Sequence, residues 1–395
     1  MNSLKNFQTS PLRRTALALG LGLGLGLVSV GTMAQSSTGS VFGCAAPGAG
    51  TTVVIHNVNT GQELTTTVDS AGRYRFASLP VGTYTVTLRE GGSNVSTRDN
   101  VAVNIAGGTE VSFVGSNVTE LADVSVSASA LPSIDVSAVD TKTVFTADQL
   151  SKLLLARDVS AVAMLAPSVV DNTSYNVPSF GGASSSENAY YINGFPVTNP
   201  LTNLGYSTLP YDAIDQMQVL TGGYGAAFGR ATGGVINVTT KRGTNTWKGG
   251  IAAYWEPETL RANPRNTYYP NTGAYPDSTD GTLYRLNNQD QYWRTTYGAY
   301  FGGPLIKDRL FIYASAEVQK REGASVRSTV SDQGGYNEYS YKLPRWMAKI
   351  DWNITDNHIL EFTGVSDKTE YNAKYTGFDY DGFTHDNVQS GGSHT

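Results

Sequence analysis

The chain has 395 residues, and 43 Gly, 23 Tyr and a charged fraction of only 15% set its character. Soluble globular domains carry ~25% charged residues, yet 40% hydrophobic residues and a net charge of −5 exclude a disordered chain. A single cysteine, Cys44, excludes a disulfide scaffold, a pI of about 5.4 disfavours nucleic acid as a partner, and one apolar run at a mean hydropathy of −0.23 disfavours a helical membrane bundle.

At the N-terminus, Lys5, Arg13 and Arg14 precede an apolar run from Ala16 to Val30, then Thr32-Met33-Ala34. The run is shorter than the ~20 residues of a membrane helix. Residues 1–34 are therefore expected to be a secretory signal peptide cut near Ala34. The rest of a twin-arginine motif is absent, and polar Gln35 to Thr38 separate Cys44 from the apolar run. Cys44 is expected to be a small buried hydrophobe and not a lipidation site.

In residues 35–115, strand-like pieces at 51–55, 63–68, 73–76 and 83–88 alternate with turns at Asn59-Thr60-Gly61, Asp69-Ser70-Ala71-Gly72 and Leu79-Pro80-Val81-Gly82. Short strands at this spacing predict a small β-sandwich. The run from Asp69 to Tyr84 resembles the carboxypeptidase regulatory-like domain, a family in the carbohydrate-binding-like fold group. The resemblance implies a periplasmic structural module, with glycan binding as the alternative.

Residues 116–140 are rich in Ser, Ala, Val and Asp, lack a helical period and read as an extended linker. Within it, Asp123, Val124, Ser125, Val126 and Ser127 alternate polar and apolar groups, a pattern that can add a strand to a partner's sheet.

Residues 141–243 open with a short helix, capped by Thr146 and carrying Leu150, Leu153 and Leu154 on one face. A buried strand over Ile214 to Leu220, a Gly-rich crossing and a second strand over Val235 to Thr240 follow. The crossing misses the dinucleotide fingerprint by one residue and has no Gly-Lys-Ser/Thr, so it does not read as a phosphate cradle. Ile214 to Lys241 strongly resembles the plug of TonB-dependent outer-membrane receptors, in which Gly-Gly-Val-Ile-Asn precedes a basic residue at the barrel junction. Ser179 to Ala183 and Glu187 to Phe195 resemble the Oar-like branch, where a regulatory-like domain precedes the plug. The matching plug positions are Tyr191, Asn193, Gly194, Gly222, Gly223, Gly225, Gly229, Gly233, Gly234 and Asn237. The resemblance implies a ligand met by outer loops and plug apices, and a TonB-type energy-transducing protein that grips a box segment. The box is placed at Asp123 to Ser127, with Ile134 to Ser137 as second choice.

Residues 244–395 hold five alternating segments. Trp247, Ile251 and Trp255 oppose Lys248, Gly250 and Tyr254; Trp293, Tyr297 and Phe301 oppose Arg294, Thr296 and Tyr300. Leu310, Ile312 and Val318 oppose Phe311, Tyr313, Ser315, Glu317 and Gln319; Trp346, Ile350 and Trp352 oppose Lys349 and Asp351; Leu360 and Phe362 oppose Glu361 and Thr363. Apolar-out, polar-in strands of ~10 residues are the outer-membrane barrel pattern. Long connections at 256–291 and 322–341 alternate with short ones at 303–309 and 354–358, as extracellular loops alternate with periplasmic turns. The segment from Phe378 is expected to open a third outer loop. A barrel of about 22 strands would need several hundred further residues, so the chain is expected to be a fragment.

His56, His358, His385 and His394 are scattered and expected in surface or loop roles. No nucleophile elbow or zinc helix occurs, and Asp277-x-x-Asp280-Gly281 and Asp379-x-Asp381-Gly382 lack a calcium loop's spaced ligands. The chain is read as mainly β: a small β-sandwich, an α/β plug domain, then the first ~5 antiparallel strands of an incomplete transmembrane β-barrel. It is expected to be no enzyme and to need no cofactor or metal. Its expected role is energy-coupled ligand uptake at the cell outer membrane. The partners are a TonB-type protein, an unknown extracellular ligand and outer-membrane lipid, with no nucleic acid. The alternatives are a structural or adhesive Oar-like protein, or a glycan-binding role for residues 35–115.

Overall fold

A computed structural model describes residues 37–48, 50–113, 140–153, 155–171, 177–225, 228–229, 231–271, 281–326, 334–379, 384–385 and 390–394. The expected signal peptide, both box candidates, Leu154 and most of the two Asp-Gly segments lie outside these residues.

The N-terminal part is a sandwich of β1 (Thr38–Cys44), β2 (Thr52–Asn57), β3 (Glu63–Thr67), β4 (Arg73–Pro80), β5 (Gly82–Glu90), β6 (Ser93–Val103) and β7 (Gly108–Glu110). One sheet runs β4-β1-β7, the other β3-β2-β5-β6, and β1 and β7 are parallel. Alternation buries Tyr74 and Phe76 on β4, and a bulge at Ser78, with φ 57°, shifts the phase so that Leu79 turns inward too. The core gathers Val41, Val53, Ile55, Tyr84, Val86 and Leu88. Cys44 is exposed, contrary to expectation, because it shares the outward parity of Ser40 and Phe42 at the end of β1. His56 lies half-buried in β2, not in a loop.

The plug is a mixed five-stranded sheet, in the order β12-β11-β14-β13-β8. Its strands are β8 (Thr141–Thr146), β11 (Ala189–Ile192), β12 (Phe195–Pro196), β13 (Ile214–Gly222) and β14 (Val235–Thr240), with the small hairpin β9 (Val169–Val170) and β10 (Ser179–Phe180) beside it. Helix α1 (Ala147–Lys152) starts with a full capping box between Thr146 and Gln149, and α2 (Val159–Ala163) is capped by Asp158. Leu150, Val159, Val162, Met217, Val219 and Ile236 form its core, which runs on into Tyr313 and Met347 of the wall. The plug is therefore packed against the wall and shares its apolar interior.

That wall is one antiparallel sheet. It comprises β15 (Lys248–Glu256), β18 (Gln291–Ile306), β19 (Leu310–Val326), β20 (Gly334–Thr355), β21 (His358–Asp367) and β22 (Glu370–Asp379). In the first outer connection sit β16 (Thr267–Tyr268) and β17 (Leu283–Arg285), and after β22 come β23 (Thr384–His385) and β24 (Ser390–His394). The strands exceed the expected ~10 residues: β18, β19 and β20 have 16, 17 and 22. Segments 322–326 and 334–341, expected as loop, are ladder, because Glu322 to Val326 pair with Ser340 to Tyr336. Pro304 is paired within β18, and the turn falls at Lys307 to Arg309. Pro344 in β20 has no N–H to donate, and opposite it the neighbouring strand breaks between β21 and β22. Residues 390–394, expected in a third outer loop, return as β24 against β22.

Outward residues are apolar and bare: Ile251 is 91% exposed, Trp255 63% and Phe362 69%. Inward residues are not uniformly polar as expected, since Phe311, Tyr313 and Met347 are buried beside Thr296, Ser315 and Gln319. The inner face is built to hold a plug, and polarity is needed only where the plug presents polar groups. Among the described residues no helix is long and apolar enough to cross a membrane.

Gly234 tests the plug's close packing, because a Cβ there would fall inside the Phe180 ring. Gly234→Ala is expected to destabilise the plug by about 1–3 kcal/mol, read as a lower urea midpoint for plug unfolding with the wall's own transition unmoved.

Candidate functional site

Two sets of charges join plug to wall. The upper one centres on Arg157, which precedes α2 and whose side chain is 16% exposed. Its guanidinium pairs with Asp212 at 2.6 Å, donates to the Tyr254 hydroxyl at 2.8 Å, and lies 4.5 Å from the Tyr211 ring and 4.0 Å from the Tyr254 ring. Stacking between two rings uses the planar, weakly hydrated face of arginine, which lysine lacks. The short helical turn Tyr211–Ala213 is pinned from the wall side. The Tyr211 amide donates to Glu317 at 3.3 Å, the Tyr313 hydroxyl donates to the Asp212 carbonyl at 3.1 Å, and Arg345 pairs with Glu317 at 3.5 Å. Just before it, Thr208 donates through its amide to Asp367 of β21 at 2.6 Å.

The lower set centres on Arg242, at the end of the plug. One guanidinium nitrogen reaches Asp351 at 3.0 Å and Glu361 at 2.7 Å, and Lys349 reaches the same carboxylates at 3.4 and 3.1 Å. Asp351 is fully buried and Lys349 nearly so. Burial alone would lower the basicity of Arg242, and the two carboxylates more than reverse this, so its charge is held firmly. Asp215 adds a further carboxylate; burial raises its pKa, against the pull of Lys241, Arg242 and Lys349. Gly243 follows, wedged against Phe311, Ile312 and Gly303 so closely that no side chain fits.

The plug positions named from sequence divide between these contacts and the plug's own framework. Asn193 and Gly194 have φ of 49° and 81° and form the tight β11–β12 turn that Asn-Gly favours. The Asn193 amide also donates to Thr240 at 2.9 Å and to Thr363 of the wall at 3.4 Å. Tyr191 donates to the Gly229 carbonyl at 3.1 Å and packs on Phe228. Gly223 has φ 70°, a left-handed conformation suited to glycine. Gly233 lies where a Cβ would meet Asn188 at 2.7 Å, whereas Gly222 and Gly225 have open space. Asn237 is fully buried in β14, opposite Gln218. Among the described residues no group of His, Cys, Asp or Glu could hold a metal.

Inward parity in the sequence covered Glu317, Lys349, Asp351 and Glu361 but not their plug partners, the Tyr211 amide for Glu317 and Arg242 for Asp351 and Glu361. Inward charge on a strand otherwise facing a plug is the signal that could have found them, since buried charges are paired. At the outer end, a cavity of about 150 Å³ is lined by Glu258, Arg261, Asp290, Tyr292, Ser325 and Tyr339, with the Arg261 guanidinium 4.5 Å from the Tyr292 ring.

A folded sheet seated by the Arg242 ion pairs on the inner face of an antiparallel β-wall with an apolar outer face is the arrangement of a plug against part of a barrel wall. The family profile described as carboxypeptidase regulatory-like domain matches residues 38–115, and that described as TonB-dependent receptor plug domain matches residues 135–235. The chain thus carries a carboxypeptidase regulatory-like domain followed by a TonB-dependent receptor plug domain. It is similar to the TonB-dependent transporter Oar of Myxococcus xanthus, with 29% identity over 300 residues covering 71% of this chain and 26% of that protein. It is also similar to the ferrienterobactin receptor of Escherichia coli (strain K12), 29% identical over 163 residues, 35% of this chain and 22% of that one. The chain spans about a quarter of the length of these curated relatives. Among solved structures it is similar to the outer membrane transporter YddB from Escherichia coli, at 17% identity and a TM-score of 0.42, covering 60% of this chain and 36% of that one.

Two outcomes test the lower cluster. Arg242→Ala leaves the buried Asp351 and the partly exposed Glu361 short of a partner and is expected to cost about 3–5 kcal/mol in the urea midpoint for plug release, and Arg242→Lys is expected to restore only part because its side chain is one bond shorter and its ammonium more strongly hydrated. The raised pKa of Asp215 makes its charge a net cost above that value. Asp215→Asn is therefore expected to match or exceed wild-type stability at neutral pH, the advantage closing as pH falls through the raised value to the ordinary carboxylate range. Urea midpoints of both proteins across that pH range check the sign.

Proposed function

We propose that this chain serves an outer-membrane transporter that moves a ligand into the periplasm when a TonB-type protein pulls on the plug. The observation that carries this reading is the manner of seating. The plug is held to the wall by a few discrete polar clusters, around Arg157 and Arg242, beside a small shared apolar patch at Tyr313 and Met347. Such a contact closes the passage at rest and can part under load without unfolding the wall. Outer loops and plug apices meet the ligand, and outward Trp247, Trp255, Trp293 and Trp352 sit in lipid, at the cell outer membrane. The box that receives the pull is Asp123 to Ser127, in the linker between sandwich and plug, with Ile134 to Ser137 as second choice.

Binding of the purified periplasmic domain of the TonB-type protein to the chain in micelles tests the coupling. Deleting Asp123 to Ser127 is expected to abolish binding while deletion of Ile134 to Ser137 spares it; the opposite pattern moves the box, and retained binding in both removes it from the linker.

A further inference from the structure

Two loops of the sandwich, one at Asn57–Gln62 and one at Asn104–Gly107, face the rest of the molecule. The first is folded by Asn57, whose side-chain oxygen accepts from the amides of Asn59 and Thr60 at 2.9 and 3.0 Å. It touches both short turns of the wall. The Asn245 amide donates to the Asn59 carbonyl at 2.8 Å, and Asn245 exchanges side-chain and backbone hydrogen bonds with Asp308 at 2.6 and 2.8 Å. Gln62 donates to the Asp356 carbonyl at 2.9 Å. Gly61, with φ 73°, lies so close to the Asp308 carboxylate that a Cβ would overlap it.

The second loop touches the plug. Gln216, at the start of β13, accepts from the Ile105 amide at 2.9 Å and donates to the Asn104 side chain at 3.1 Å. Lys142 of β8 donates to the Ala106 carbonyl at 3.0 Å and pairs with Asp140 at 3.6 Å. Ile105 is fully buried and Gln216 is 7% exposed, so these contacts form a closed interface. Among the described residues β8 is the terminal strand of the plug sheet, paired with β13.

We propose that the sandwich is a brace for the plug, an intramolecular interface that ties β8 and β13 to both periplasmic turns of the wall and must part before those strands can move. The partner of this surface is the chain's own plug and wall, recognised mainly through backbone groups: the Ile105 amide and the carbonyls of Ala106, Asn59 and Asp356. Backbone contacts read position more than side-chain identity, as a brace requires. The bonds are nearly all neutral, and each contributes modestly because water replaces it when it breaks. The interface is thus firm as a set and separable as a set. It adds to the transport reading a second closure, distinct from the ion clusters between plug and wall.

The test uses the chain in micelles, with spin labels on Cys44, its one cysteine, and on Lys307→Cys at the first turn. Gly61→Leu pushes the sandwich off the wall, and Gln62→Ala with Asn104→Ala removes two contacts without strain in the loop. The unmodified interface is expected to give one narrow distance distribution, and both variants a broad one. In the same variants, amides of β8 are expected to exchange with solvent about tenfold faster or more, while those of β19 stay unchanged. A broad distribution without the variants overturns docking. A distribution that broadens while β8 exchange stays put overturns the brace.

Discussion

A guanidinium taken out of water has to be met by carboxylates, and this requirement fixes where the plug sits. Arg242 reaches Asp351 and Glu361 together, and both carboxylates also hold Lys349. Removing the plug would leave two wall carboxylates to one lysine in a lined interior, and removing the wall would leave Arg242 with Asp215 alone. Neither half is electrically complete without the other. Nearer the top the plug's own Arg157–Asp212 pair meets the wall through hydrogen bonds, from Arg157 to the Tyr254 hydroxyl, from the Tyr313 hydroxyl to the Asp212 carbonyl and from the Tyr211 amide to Glu317. Position along the wall is thereby specified at two heights, more sharply than apolar packing against Tyr313 and Met347 could achieve, because directional hydrogen bonds and ion pairs need particular partner atoms.

The strand alternation that gives the wall an apolar outer face also delivers these charges. A period of two sends Trp346, Ile350 and Trp352 outward and Met347, Lys349 and Asp351 inward from one strand. A one-residue slip would put Lys349 and Asp351 on the apolar outer face and the tryptophans against the plug, so register is strongly determined. The sandwich extends the same arrangement below the wall, gripping the turns at Asp308 and Asp356 together with β8 and β13. Plug, wall and sandwich therefore form one unit joined by local polar contacts and, between plug and wall, by the apolar patch at Tyr313 and Met347.

Much of this was legible in residues close together in sequence. Thr146 announced a capped helix and Ile214 to Leu220 a buried strand, since each signal is set by local geometry. Alternation from Trp247 to Phe362 gave the faces of the wall. Other features depend on distant partners and left no local trace. Glu322 to Val326 read as loop because beyond the apolar band an outward strand position can carry Glu322 or Lys320, and alternation vanishes. Strand β6 was missed because an edge strand exposes Asn94, Thr97 and Arg98 and has no buried row to betray it until Val101. Cys44 was misplaced because its parity depends on where β1 begins. The pairing of Arg157 with Asp212 and Tyr254, or of Arg242 with Asp351, follows from the chain's course through the plug and across the wall.

A double-mutant cycle between Arg242 and Asp351, read as the free energy of plug release from the wall, addresses the central claim most directly. If the pair seats the plug, the two substitutions are strongly non-additive, with a coupling of about 0.5–3 kcal/mol. Additive losses would show that the plug is held by packing alone and would contradict the account.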